Sequence, residues 1–162
     1  MTRQRTVPTP EDPRLEAWRA FLFAHAQVRR QLERELQTEQ GMSLGEYEVL
    51  LFLAYSDERR RRMSELADLM VLSRSGATRL VDRLEMAGLV ERVSCDTDRR
   101  GQWAQITDAG YERLRRASPT HLRGIAEHFL DRIPADELEA LHGTMSRVMT
   151  ETVPFRMPAR AG

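Results

Sequence analysis

From Pro13 onward apolar residues return every three or four positions: Leu15, Trp18 and Leu22 in one row, with Phe21, Val28, Leu32 and Leu36 beside it. That spacing places them on one face of a long helix. The helix is expected to end near Glu39–Met42, where Gly41 suits a left-handed cap. Ser43-Leu44-Gly45-Glu46 then reads as a capping box, the Ser43 hydroxyl accepting from a free amide while Glu46 reaches back. The helix it opens carries Leu44, Tyr47, Leu50, Leu51 and Ala54.

The period breaks at Ser56–Met63, SDERRRRM, which is expected to be a charged, solvated connection. Ser64 is expected to cap a short helix with Leu66, Ala67 and Met70 inward. Ser73 caps the next, on which Ala77, Leu80, Val81 and Leu84 form one narrow apolar stripe before Gly88 stops it. Two helices a few residues apart, the second with a thin buried face, make a helix-turn-helix pattern. Leu89–Ser94 and Trp103–Thr107 alternate like the strands of a hairpin. Thr107 is expected to open a helix reaching about Arg132, interrupted or kinked near Pro119. Pro134 takes the first-turn position of a last helix, with Leu138, Leu141, Met145, Val148 and Met149 on one face.

The expected fold is mainly α with a small β-hairpin wing: a winged helix-turn-helix core plus N- and C-terminal dimerisation helices. Residues 1–12 read as a flexible arm and 154–162 as a loose tail. Residues 13–153 are expected to form a single protomer, in which 13–42 and 107–153 are the dimerisation helices and 43–106 the winged helix-turn-helix lobe. The terminal helices are too long and too apolar to be satisfied by so small a core, and a second copy of the same helices is the simplest partner.

Charge sharpens this picture only locally. The 162 residues carry 25 basic and 25 acidic groups, and every basic one is arginine. From Arg59 to Arg83, however, seven arginines face Glu65, Asp68 and Asp82, a surplus of four. With its stripe buried, the Ser73–Gly88 helix presents Arg74, Ser75, Thr78, Arg79, Asp82 and Arg83 outward. Arginine can give two hydrogen bonds to a guanine edge, and short hydroxyls reach bases or phosphates without bulk.

Other chemistries find little support. One cysteine, Cys95, fits a reducing compartment, the N-terminus lacks the apolar segment of a signal peptide, and no apolar run suits a bilayer. A cytoplasmic protein without membrane contact is expected. His25, His121, His128 and His142 are scattered, so neither metal nor cofactor is expected. Nucleophile elbow, phosphate loop and paired carboxylates are missing, so an enzyme is not expected either.

Met63–Gly110 resembles the DNA-binding segment of the MarR family of bacterial transcription regulators, most specifically in Asp98-Arg99-Arg100-Gly101 followed by Thr107 and Asp108-Ala109-Gly110. The resemblance implies a homodimer that binds double-stranded DNA at a palindromic operator, a ligand-responsive repressor. Each protomer would lay one recognition helix in the major groove and one wing tip in the adjoining minor groove. It selects Arg100 as the minor-groove probe, Asp98 as its charge-assisted orienter, Arg99 as a phosphate contact or brace and Gly101 as the turn. It also implies a small aromatic or anionic effector, with Trp18, Phe21, His25, Tyr47 and Phe52 as candidate liners. Three alternatives stand beside it: a transcriptional activator, a redox-responsive regulator using Cys95, and a protein-binding winged-helix module. The last would want an apolar or acidic outward face on the Ser73 helix, which is instead hydroxylic and basic.

Overall fold

The computed structural model describes residues 7–149 apart from 96 and 97, with backbone only at 95 and 98–101. Its elements are α1 (Leu15–Glu35), a π-helical turn (Leu36–Gln40), α2 (Leu44–Ala54), a 3-10 turn (Asp57–Arg59), β1 (Arg60–Arg62), α3 (Met63–Leu69) and α4 (Arg74–Met86). They continue with β2 (Val90–Cys95), β3 (Asp98–Ile106), α5 (Asp108–His128), a second 3-10 turn (Leu130–Arg132) and α6 (Ala135–Val148). The three strands form one antiparallel sheet in the order β1-β3-β2.

The local signals explain most of these boundaries. Gly41 follows the π-helical turn with φ +58°. At the start of α2 the capping box closes both ways, Glu46 N–H to Ser43 Oγ at 3.2 Å and Ser43 N–H to Glu46 Oε2 at 2.9 Å. Glu33, reaching over from α1, accepts the Leu44 amide at 2.7 Å. The core runs from Leu32 and Leu36 through Tyr47, Leu50, Leu53, Leu66, Val81, Val90 and Ile106 to Leu114 and Ala117, so one cluster joins the winged lobe to α1 and α5.

A polar clamp reinforces that joint. Gln40 donates to Thr120 Oγ1 at 3.0 Å, Thr120 donates to Glu39 Oε2 at 3.2 Å, and Arg113 donates to the Gln40 carbonyl. Thr120 is buried, so these partners offset the loss of its water. At the other end of α5, Thr107 accepts from Gly110 at 3.0 Å and donates to the Gly88 carbonyl at 2.8 Å. A Cβ at Gly110 would stand 2.0 Å from the Leu89 carbonyl oxygen, so only glycine lets α5 start this close to β2.

Three expectations are corrected. The arginines of Ser56–Met63 are not a solvated loop, because Arg60–Arg62 pair with Trp103–Gln105 as strand β1. Ser64 is no cap: α3 already begins at Met63, after Arg62 in extended conformation. Pro119 does not interrupt α5, which runs through it to His128. Proline withholds one amide from the carbonyl four residues back. Here Pro119 and Arg115 both lie on the exposed side, where water can serve that carbonyl.

The N-terminal part of α1, the end of α5 and all of α6 bury little. Trp18, Phe21, Leu22 and Phe23 of α1 are exposed, as are Leu122, Phe129 and Leu130 around the end of α5. No residue of α6 is buried.

Candidate nucleic-acid interface

Helix α4 is built to show one face. Ser73 caps it by accepting the Gly76 amide at 3.1 Å, and the Ser73 and Ser75 hydroxyls lie 3.1 Å apart. Ala77, Val81 and Leu84 are buried. Leu80 packs over Gly45, where a Cβ would come within 3.3 Å of it, so α4 rides close on α2.

The opposite side carries Arg74, Ser75, Thr78 and Arg79, all exposed. Thr78 donates its hydroxyl to the Arg74 carbonyl at 2.8 Å, which leaves the oxygen free to accept. Arg74 and Arg79 have no hydrogen-bond or ion-pair partner among the described residues. The C-terminal half of the helix behaves differently. Arg83 is held by Glu46 at 2.9 Å, while Asp82 and Glu85 are both taken by Arg92 of β2. Asp82, outward in the sequence pattern, is thus a brace acceptor. The unpaired cations stand only in the first two turns of α4, the part of a recognition helix that reaches base edges.

The turn before α4 holds Val71 at φ +53° with its side chain 91% exposed. A β-branched residue in left-handed backbone is strained, and here burial does not compensate.

Asp98, Arg99 and Arg100 open strand β3 opposite Cys95, which pairs with Asp98. The side chains of Cys95, Asp98, Arg99 and Arg100 lie outside the described residues, and with them the expected Asp98–Arg100 bond. The ladder is regular from Val90 to Ser94 and shifts register between Ser94 and Cys95.

The four successive arginines serve the fold itself. The Arg59 guanidinium lies 4.5 Å from the Tyr111 ring centre and 3.7 Å from Asp108. Arg60 pairs with Glu58, and Arg61 donates to Ser56 at 2.5 Å and faces Glu65 at 3.8 Å. Arg60 and Arg62 stand over Trp103 at 5.5 and 5.3 Å from its ring centre. Cation–π contact of this kind holds an all-arginine strand on the sheet. The signal available in the sequence was the pair of aromatics Trp103 and Tyr111 downstream.

The five candidate liners fall into two groups. Trp18, Phe21 and His25 form an exposed strip on α1, with ring centres 6.0 Å apart for Trp18–Phe21 and 6.1 Å for Phe21–His25. Tyr47 is buried, its hydroxyl 3.3 Å from that of Ser118 and its ring 4.3 Å from His121, and Phe52 packs against the core. Burial pushes the Tyr47 hydroxyl up and holds His121 below the ordinary imidazole range, Glu48 opposing the latter shift and Arg29 adding to it. Among the described residues no helix is long and apolar enough to cross a membrane.

Known proteins resemble this chain in sequence and in fold. The MarR family model matches residues 40–101, from the end of the π-helical turn to the wing. MhqR, an HTH-type transcriptional regulator of Bacillus subtilis, is 30% identical over 108 residues, 67% of this chain and 72% of its own length. The crystal structure of Sco3205, a MarR family transcriptional regulator from Streptomyces coelicolor in complex with DNA, superimposes with a TM-score of 0.78 at 36% identity, covering 91% of each chain. The chain belongs to the MarR family.

A third relative, the transcriptional repressor MprA of Escherichia coli, is 36% identical over 80 residues, 49% of this chain. The chain spans 46% of that repressor's length. All the candidate DNA-contacting residues of this MarR-family chain, Arg74 to Arg100, lie inside the segment matched by the family model.

Proposed function

We propose that this protein is a dimeric, sequence-specific DNA-binding repressor that releases its operator when a small aromatic or anionic molecule binds. The observation that carries the DNA-binding part is the division of arginines on α4. Arg74 and Arg79 stand exposed with no partner among the described residues, while Arg83 is tied down by Glu46. An unpaired guanidinium has no bond to give up before it turns toward a guanine edge or phosphate, whereas a paired one must first break its bond.

The repressor sense follows MprA, a transcriptional repressor by name, and the DNA partner follows Sco3205, whose crystal structure contains DNA. Dimerisation accounts for the exposed Trp18, Phe21, Leu22 and Phe23 and for an α6 without a buried residue. Exposed large apolar side chains gathered on one helix suit an association face. Ser75 and Thr78 assist base or phosphate contact, and Asp98, Arg99 and Arg100 supply the wing tip. Effector contact is assigned to the Trp18–Phe21–His25 strip on α1 and to Tyr47 and Phe52 on α2. The cytoplasm is its proposed compartment.

Fluorescence anisotropy of a selected operator tests the division of labour. Arg74→Ala should relax sequence preference by ~1–3 kcal/mol at one base position. Equal weakening on all sequences would make Arg74 a phosphate ligand, and unchanged binding would remove α4 from the interface.

A further inference from the structure

We infer that Arg92 is a positioning residue for DNA reading: it locks the wing to the recognition helix, so that the two meet DNA as one rigid surface. This rests on the DNA-binding reading above. Arg92 projects from β2 and donates through its two terminal nitrogens to two different carboxylates of α4, Asp82 Oδ1 and Glu85 Oε2. Those acids are three residues apart and therefore neighbours on one helix face. A planar guanidinium held at both prongs fixes rotation as well as distance, which an ammonium on a flexible stem cannot do.

Its place in the hairpin gives the bond leverage. Leu89 and Val90 anchor the base of the wing in and against the core. Arg92 opposes Ala104, and only two residue pairs separate it from the register shift at Ser94/Cys95 where the hairpin tip begins. Arg92 therefore ties strand β2 to α4 between the core anchor and the tip. On its other flank α4 is tied to α2 by Arg83–Glu46. The helix is thus fixed along its C-terminal half from both sides, while Arg74 and Arg79 stay free at its N-terminal end.

The arrangement has a thermodynamic consequence. If helix and wing are rigidly joined, the second groove contact forms at high effective concentration once the first is made. A loosened wing must be ordered during binding, and that cost comes out of affinity. Charge balance is the competing explanation, since two acids beside a DNA-facing helix repel phosphate and Arg92 masks them.

The two accounts diverge in a footprint on the selected operator, comparing the wild-type chain, Arg92→Lys and the double variant Asp82→Asn/Glu85→Gln at equal folded fraction. Hydroxyl-radical protection reads the minor groove, and guanine methylation interference reads the major groove. Positioning predicts that Arg92→Lys, which keeps the charge, loses minor-groove protection while major-groove contacts persist, with affinity down about tenfold. It predicts the same selective loss for Asp82→Asn/Glu85→Gln, although removing two acids should by charge alone tighten binding. Proportional loss in both grooves, or a double variant that binds tighter with its minor-groove protection intact, would overturn the proposal. No wild-type footprint on any DNA would remove the DNA reading itself, and this proposal with it.

Discussion

Replacing Gly110 with alanine is a severe change for a single methyl group. Gly110 sits in the first turn of α5, and its added Cβ would lie 2.0 Å from the Leu89 carbonyl oxygen and 2.8 Å from Ile106 Cγ1. Contacts below 3.0 Å do not persist, so backbone must retreat by about 1 Å, as an overpacked core does at a cost of ~1–3 kcal/mol. The same Leu89 carbonyl accepts the Thr107 amide at 3.1 Å, and stretching that bond adds ~0.5–1.5 kcal/mol. Alanine's better helix propensity returns about 1 kcal/mol. The net loss is therefore ~0.5–3.5 kcal/mol, a melting temperature lower by about 1–14 °C for a chain of this size.

Thermal denaturation by circular dichroism at matched protein concentration measures it. Gly143→Ala serves as the control. The nearest atom to a Cβ there is the tip of Arg147 at 4.0 Å, so the variant should gain ~0.5–1 kcal/mol. A Gly110→Ala protein as stable as wild type would refute the close approach of α5 to β2, and with it the physical explanation of the Asp-Ala-Gly segment.

Other outcomes follow from the same geometry. Val71→Gly should stabilise the protein by ~0.5–1 kcal/mol, because a left-handed L-residue costs ~1–2 kcal/mol and a 91% exposed side chain gives little back; a lower urea midpoint would contradict this. Burial sets the His121 pKa below its unfolded value, so the unfolded chain takes up the proton first. The stability this group contributes is complete above about pH 6.5 and is lost as pH falls toward the folded value. His121→Phe should therefore flatten the decline in urea midpoint between about pH 7 and pH 5, and an unchanged slope would place the acid sensitivity elsewhere.

The parts of this fold that were legible in the sequence are those decided locally. Ser43, Ser73 and Thr107 cap helices because hydroxyl and amide lie within three residues of each other, and each bond is present. Gly41 and Gly88 end helices with φ +58° and +70° for reasons equally local. What escaped was decided at a distance. Arg60–Arg62 show no alternation and become a strand only because β3 offers a free edge and Trp103 a ring beneath two guanidiniums. Likewise, nothing around Ser64 in the sequence shows that β1 leads straight into α3, so its capping potential went unused.

The candidate interface divides in the same way. Arg74, Ser75, Thr78 and Arg79 were read from one helical stripe and are exposed as that stripe requires. The partners of Arg92 were invisible, since Asp82 and Glu85 lie on another element, ten and seven residues away.

Whether two copies of α4 read one DNA site together is decided by selecting binding sequences from a random duplex pool with the purified full chain. Joint reading by a dimer enriches an inverted repeat whose half-site centres lie about 10 base pairs, or a multiple of one helical turn, apart. Under the same reading Arg74→Ala loses preference at one symmetric base position in each half-site. Recovery of no common sequence, with affinity that vanishes into the salt dependence of nonspecific binding, would contradict it.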